Sequence, residues 1–108
     1  MTTSTDILLA AADLLDRPGA WSPQALARNA DGVCTSPYEE DAVSWCATGA
    51  LMRVSQEADI QDYRAARAQL AETLYESDHE PDIVDWNDAH GRTQAEVVAM
   101  LRRAAEED

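Results

Sequence analysis

The chain has 108 residues, 21 acidic side chains against eight arginines and no lysine, and a formal net charge of −13. A field of that sign repels nucleic acid and anionic membranes and attracts basic partners over about a Debye length, roughly 8–10 Å at physiological salt, so direct nucleic-acid binding and attachment to a membrane surface are set aside. No run of 18 apolar residues occurs, which excludes a helical membrane span.

The length suits one independently folding unit, residues 1–108, with no room for a second. Of the 45% apolar residues, 20 are Ala and only 21 are Leu, Ile, Val or Met, so a thin core with closely packed helices is expected. The opening MTTSTDILLAAADLLD carries acids where a signal or transit peptide carries positive charge, and is read as part of the fold. Cys34 and Cys46 are too few for a disulfide framework and lack metal-type spacing. A cytoplasmic setting is expected, with no metal and no cofactor.

The first segment places Ile7, Leu8, Ala11, Leu14 and Leu15 on one face, with Ser4 or Thr5 as cap and Pro18-Gly19 as stop, which predicts an amphipathic helix of about three turns. From Trp21 through Thr35 the helical period is lost. Asp31-Gly32, between Leu26-Ala27-Arg28 and Val33-Cys34-Thr35, suits the positive φ of a type I′ turn and predicts a short two-strand hairpin. An isolated hairpin is marginally stable, so it must lie against the helices. Ser36-Pro37-Tyr38-Glu39 joins a hydroxyl cap, a proline at the first helical position and a glutamate able to bond back, and predicts that a second helix starts there. Val43, Ala47, Ala50, Leu51 and Val54 form its inner face, with Cys46 on the same side. A third helix runs from near Asp59 to about Ser77 with Ile60, Tyr63, Ala66, Leu70 and Leu74 inward. Asp78 to Arg92 is linker-like in composition, but Ile83, Val84 and Trp86 indicate that it packs. Thr93-Gln94-Ala95-Glu96 is a second capping box and opens a last helix that buries Val97, Val98, Leu101, Ala104 and Ala105, with Arg102 and Arg103 where the helix dipole favours cations. The expected fold is mainly α, a compact bundle of about four helices with a short β-hairpin between the first and second.

The run Ala42 through Leu51 (AVSWCATGAL), followed downstream by Ile83 through Asp88 ending in Trp-Asn-Asp, then by Arg92-Thr93 and Glu96-Val97, resembles a small bacterial and phage family of unknown function. Trp21 to Gly32 also fits that pattern, and the resemblance spans roughly Ile7 to Ala105. It implies no activity. It does imply that Trp45, Cys46, Gly49, Trp86, Asn87, Asp88 and Thr93 form one assembled site or one structural knot.

Each of these residues has a plain reading and a sharper one. Gly49 inside a helix costs about 1 kcal/mol relative to Ala, so some group must approach its backbone, most simply at a tight helix crossing. Trp45 and Trp86 are large anchors for an Ala-rich core, or else an exposed aromatic patch for a partner. Asn87-Asp88 suit a cap or turn before the last helix, with Asp88 able to pair with Arg92. The candidate nucleophile is Cys46, with His90 as base and Asn87 or Asp88 as orienting group. Against it stand a position about nine residues into the predicted helix, where the favourable dipole is spent, an apolar surrounding, and carboxylates that raise a thiol pKa. Asp78, Glu80, Asp82 and Asp85 alternate as hard-cation ligands do, but the run lacks the loop glycine, has Ala89 where the twelfth-position glutamate would stand, and is interrupted by Pro81. No phosphate-cradling glycine loop, zinc helix motif or dinucleotide fingerprint is present.

Binding is therefore favoured over catalysis. Glu72, Glu76, Asp78, Glu80, Asp82 and Asp85 form the expected contact surface of a small acidic, non-enzymatic interaction module for a basic protein surface, such as one that normally holds DNA or RNA, whose inhibition by mimicry would be fast and salt-sensitive. Two other readings are a small thiol-dependent hydrolase using Cys46 with His90, and a structural subunit that buries Trp45 or Trp86 in an oligomer.

Overall fold

A computed structural model describes residues 3–79 and 82–106. In it, α1 (Ser4–Leu15), β1 (Ala27–Asn29), β2 (Ala42–Trp45), α2 (Ala47–Val54), α3 (Ile60–Glu76), α4 (Ile83–Asn87) and α5 (Gln94–Glu106) follow in chain order. The fold is mainly helical, with a two-stranded antiparallel sheet between the first and second helices.

Helix α1 lies at the centre and packs against α5, α2 and α3. Its inner positions Ile7, Leu8, Ala11, Ala12 and Leu15 are fully buried, while Leu14 is only partly so. The cap is Thr3, one residue before the expected Ser4: its hydroxyl accepts from the Asp6 N–H at 3.2 Å, and the Asp6 carboxylate accepts from the Thr3 N–H at 3.1 Å. At the other end the Gln94 amide donates to the carbonyls of Leu15 and Arg17, at 2.6 Å each, the first an acceptor that the last turn leaves open and the second in the turn that follows. Helix α5 buries Val97, Val98, Leu101, Ala104 and Ala105 as expected, and Arg102 reaches Asp16 on the first helix at 3.2 Å. Alanines at the α1–α5 contact leave room for that close packing.

A turn forms at Asp31-Gly32, but not the expected type I′, which needs positive φ at both residues: Asp31 stays at negative φ, and Gly32 N–H donates to Asn29 O at 2.9 Å. Gly32 has φ of +79°, Asn29 N–H donates to Val33 O at 2.9 Å, and Thr35 N–H donates to Ala27 O at 3.0 Å. Its outgoing arm, however, makes a single bridge, Cys34 to Arg28, and the second strand of the sheet is Ala42–Trp45. Ala27 stands opposite Trp45, Arg28 opposite Ser44 and Asn29 opposite Ala42, so Val43 is the extra residue of a bulge and is half exposed rather than inward on a helix. Ser36 does act as a local cap, its hydroxyl accepting from Tyr38 N–H at 3.2 Å, but only a turn follows. The backbone of Trp45 bonds to Ala20 O and to Ser22 N–H on its free side, and these bonds with the β1 ladder outweigh the helix-start signal at Pro37. Helix α2 therefore begins only at Ala47.

Helix α3 starts at the expected cap, Asp59, and buries Ala66, Leu70, Thr73 and Leu74; Ile60, read as inward, is 55% exposed. The passage after it contains the five-residue α4, capped by Asp82, with Ile83 and Trp86 in the core and Val84 outside.

Candidate functional site

The two motif segments meet at the N-terminus of α2. Because β2 runs directly into this helix, Cys46 has an extended backbone (φ −80°, ψ 177°) and is the N-cap. Its Sγ accepts from the Gly49 N–H at 3.3 Å and its carbonyl from Ala50 N–H at 2.8 Å. The Ala47 N–H goes to Asn87 Oδ1 at 3.0 Å, and the same oxygen accepts from Trp21 Nε1 at 2.8 Å. The first-turn amides of a helix attract anions when they are free. Here the chain's own atoms take them.

Asn87 is fully buried, and its Nδ2 donates to Asp88 Oδ1 at 3.0 Å. That oxygen also accepts from the Gln24 N–H at 2.7 Å. Gln24 has φ of +67°, a conformation unfavourable for a residue with a side chain, so the carboxylate holds a strained turn in place. Asp88 pairs with this turn, while Arg92 takes another role. The Arg92 guanidinium lies 4.4 Å from the Trp86 ring centroid, donates from Nε to Trp86 O at 2.9 Å and meets Glu96 at 3.2 Å. His79 stands edge-on to the same ring, with centroids 6.2 Å apart. The Trp86 Nε1 is buried and has no hydrogen-bond partner among the described residues.

Gly49 lies in the first turn of α2, and the group that approaches it is a strand entry instead of another helix. A Cβ on Gly49 would lie 2.8 Å from the Leu26 carbonyl carbon and closer still to its oxygen. That oxygen accepts from the Cys46 N–H at 3.3 Å. Trp45 is buried, its indole N–H donating to Pro37 O at 3.1 Å, with Arg53 stacked 5.5 Å from the ring centroid. Thr93 and Glu96 form the reciprocal box expected of them, and hydrogen bonds from Thr93 hold the Glu96 carboxyl below its ordinary pKa, with Arg92 adding to the effect.

These contacts decide what Cys46 can do. At the N-cap it sits at the favourable end of the helix dipole, unlike the buried mid-helix position expected from the sequence. Burial nevertheless pushes the thiol up, beyond what the Gly49 and Thr48 amides bring down, and the charge of Asp88 adds to the rise. His90 lies exposed on a turn, and Asp88 Oδ1 accepts from Gln24 N–H and Asn87 Nδ2.

The acidic residues are placed differently. Glu72, Glu76, Asp78, Asp82 and Asp85 are all exposed; Glu80 falls outside the described residues. Asp82 caps α4, and Asp78 closes α3 with φ of +62°. The ion pairs among the described residues join Arg92 to Glu96 and Arg102 to Asp13 and Asp16, and include none of these five acids, although Asp82 lines a cleft with Arg64 and Arg67. Among the described residues no group of three or more His, Cys, Asp or Glu side chains is arranged to hold a metal ion, and no helix is long and apolar enough to cross a membrane.

A family model covers residues 1–107, nearly the whole chain. The chain belongs to DUF6197, a family of unknown function. Among curated proteins and among solved structures, nothing matches it significantly. In this DUF6197 chain, the motif residues chosen from sequence come together except for Thr93, which caps α5, and Trp86, which carries the Arg92 stack beside them. Trp21, Gln24 and Leu26 also belong to the knot, beyond the motif residues. Trp21 carried a signal in its position within the family-like stretch, but Gln24 and Leu26 contribute through main-chain atoms that any side chain would supply.

Proposed function

We propose that this protein is a small acidic interaction module, not an enzyme, and that it binds a basic protein surface of the kind that normally holds DNA or RNA. The observation that carries this reading is the set of exposed carboxylates at Glu72, Glu76, Asp78, Asp82 and Asp85, none ion-paired among the described residues. Glu72 and Glu76 stand four apart on α3, where like charges disfavour the helix by a few tenths of a kcal/mol, an arrangement that a partner's cations would relieve. The motif residues support the same reading from the other side, since Cys46, Asn87 and Asp88 spend their polar atoms on the fold. A cytoplasmic setting and a phage-type inhibitory role belong to this proposal.

The test is capture of the partner from host extract at low and high salt, by the parent and by a variant carrying Glu72→Gln, Glu76→Gln and Asp85→Asn. The expected partner is basic, is displaced by added DNA and by salt, and is held less well by the variant. A partner retained at high salt and indifferent to the three substitutions would refute the electrostatic reading.

A further inference from the structure

Between the end of α2 and the start of α3 lies a cleft of about 360 Å³ lined by Tyr38, Met52, Ser55, Ala58, Ile60 and Tyr63. Its wall mixes the apolar faces of Tyr38, Met52, Ile60 and Tyr63 with the polar Ser55 and Gln56, in a part of the chain whose sequence is acidic. Ile60 is 55% exposed and Tyr38 is 48% exposed. Ile60 is the first residue of α3, immediately after the Asp59 cap, and the core does not use its side chain. Exposed Glu39, Glu40 and Asp41 follow Tyr38, Glu57 and Asp59 flank Ala58, and Asp62 precedes Tyr63. Two of the three arginines in these segments are committed locally: Arg53 donates to Pro37 O and Glu39 O at 3.1 and 2.8 Å, and Arg67 lies 5.6 Å from the Tyr63 ring centroid. In the segments that line the cleft, six carboxylates stand against three guanidiniums, Arg53, Arg64 and Arg67, so the chain on either side of its apolar residues is net negative.

We propose that this cleft anchors a basic protein segment, with one apolar side chain of the partner seated against Met52, Ile60 and Tyr63 and Lys or Arg on either side meeting the rim. The inference rests on the interaction-module reading and adds to it a point of attachment. Exposed ion pairs steer and orient an encounter but hold it weakly, whereas a desolvated apolar contact slows dissociation. Methionine suits such a wall because its unbranched thioether adapts to different occupants. A partner with charge alone, such as a disordered polycation, would leave the cleft unused.

The experiment uses two fluorescein-labelled peptides of equal length and charge, one made of Lys and Leu and the other of Lys and Ser, titrated by anisotropy at low and physiological salt. The whole protein should bind the Lys-Leu peptide about tenfold more tightly, the equivalent of about 1.4 kcal/mol and in the range for one partly buried aliphatic side chain. Ile60→Ser should abolish that preference and leave the weak, salt-sensitive binding of the Lys-Ser peptide unchanged. Tyr75→Ser, at a 71% exposed position on the same helix, should leave the preference intact. Circular dichroism checks that both variants are folded. A preference that survives Ile60→Ser, or is lost equally with Tyr75→Ser, overturns the assignment of the cleft. If the parent binds both peptides equally and loses both with salt, the cleft proposal fails and the module reading stands. If neither peptide binds at low salt, both fail.

Discussion

Replacing Gly49 by Ala reverses the usual sign of that substitution. In a helix, Gly→Ala ordinarily stabilises by up to about 1 kcal/mol. Here the added Cβ would lie 2.8 Å from the Leu26 carbonyl carbon and nearer to its oxygen, and both atoms are backbone. Leu26 leads into β1, whose Ala27 pairs with Trp45, and its carbonyl accepts from Cys46 N–H. The clash can therefore be relieved only by moving the start of α2 away from β1. Overpacking a filled site costs about 1–3 kcal/mol, and loss of the Cys46–Leu26 hydrogen bond about 1 kcal/mol more. Set against the propensity gain, Gly49→Ala should destabilise by about 1–3 kcal/mol. For a domain of this size each kcal/mol corresponds to about 4–8 °C in Tm, so the melting point should fall by roughly 5–20 °C. Thermal melts followed by circular dichroism, paired with urea unfolding whose slope should not change, measure it. A Gly49→Ala protein as stable as the parent would refute the close approach.

Other residues of the knot give further expectations. Asn87→Ala leaves the Ala47 and Trp21 donors without their acceptor and should cost about 2–4 kcal/mol in urea unfolding, since each unsatisfied buried group costs about 1–3 kcal/mol; a loss below about 1 kcal/mol would mean that water replaces the amide. A thiol reagent at neutral pH should modify one cysteine rapidly, Cys34, and the second only in denaturant, because Cys34 is exposed and Cys46 buried; two rapid equivalents would contradict the N-cap role. Glu96 has a depressed folded-state pKa, so its contribution is present above its ordinary value of 4.5 and is lost as pH falls through the lower folded value. Glu96→Gln should accordingly flatten the acid side of the stability profile, and an unchanged profile would remove the Thr93–Glu96 box from the account.

The helices with a strong local signal were legible. The α5 box and all five of its buried residues follow from the spacing of Thr93, Glu96 and the apolar face, and the α3 cap follows from Asp59. What local signals did not contain was competition from distant pairing. Ser36-Pro37 looks like a helix start within its own few residues, and its cap hydrogen bond does form, but Ala42–Trp45 gains backbone partners from β1 and from Ala20 and Ser22. Those partners lie 13–25 residues upstream and have no counterpart in a helical period. The same displacement moved Cys46 from the middle of a helix to its cap, and reversed the dipole argument about its thiol without reversing the outcome, since burial outweighs the cap. The thin core was legible from the alanine content, and Ala11, Ala47, Ala50, Ala66, Ala104 and Ala105 are buried as the periodicity implies; Ala20, Ala27 and Ala42 lie outside any helical period and carried no such signal.

The eight residues of α2 divide into a closed end and an open one. A helix that short has little stability of its own and depends on caps and packing. Its first turn is fixed by Cys46, Asn87 and the Leu26 backbone, all internal to the chain. Its last turn carries Met52 toward the cleft shared with Ile60 and Tyr63. Securing the first turn places the last, so the distinctive motif serves binding only through position. In the proposed complex the residues that meet a partner are Met, Ile, Tyr and carboxylates; Ile60 and Tyr63 follow the helical period of a core face, so their spacing marks them as interior and not as contacts. Only the turn from α2 into α3 sets them side by side, which is why the conspicuous residues of this chain and its proposed contact residues are different sets.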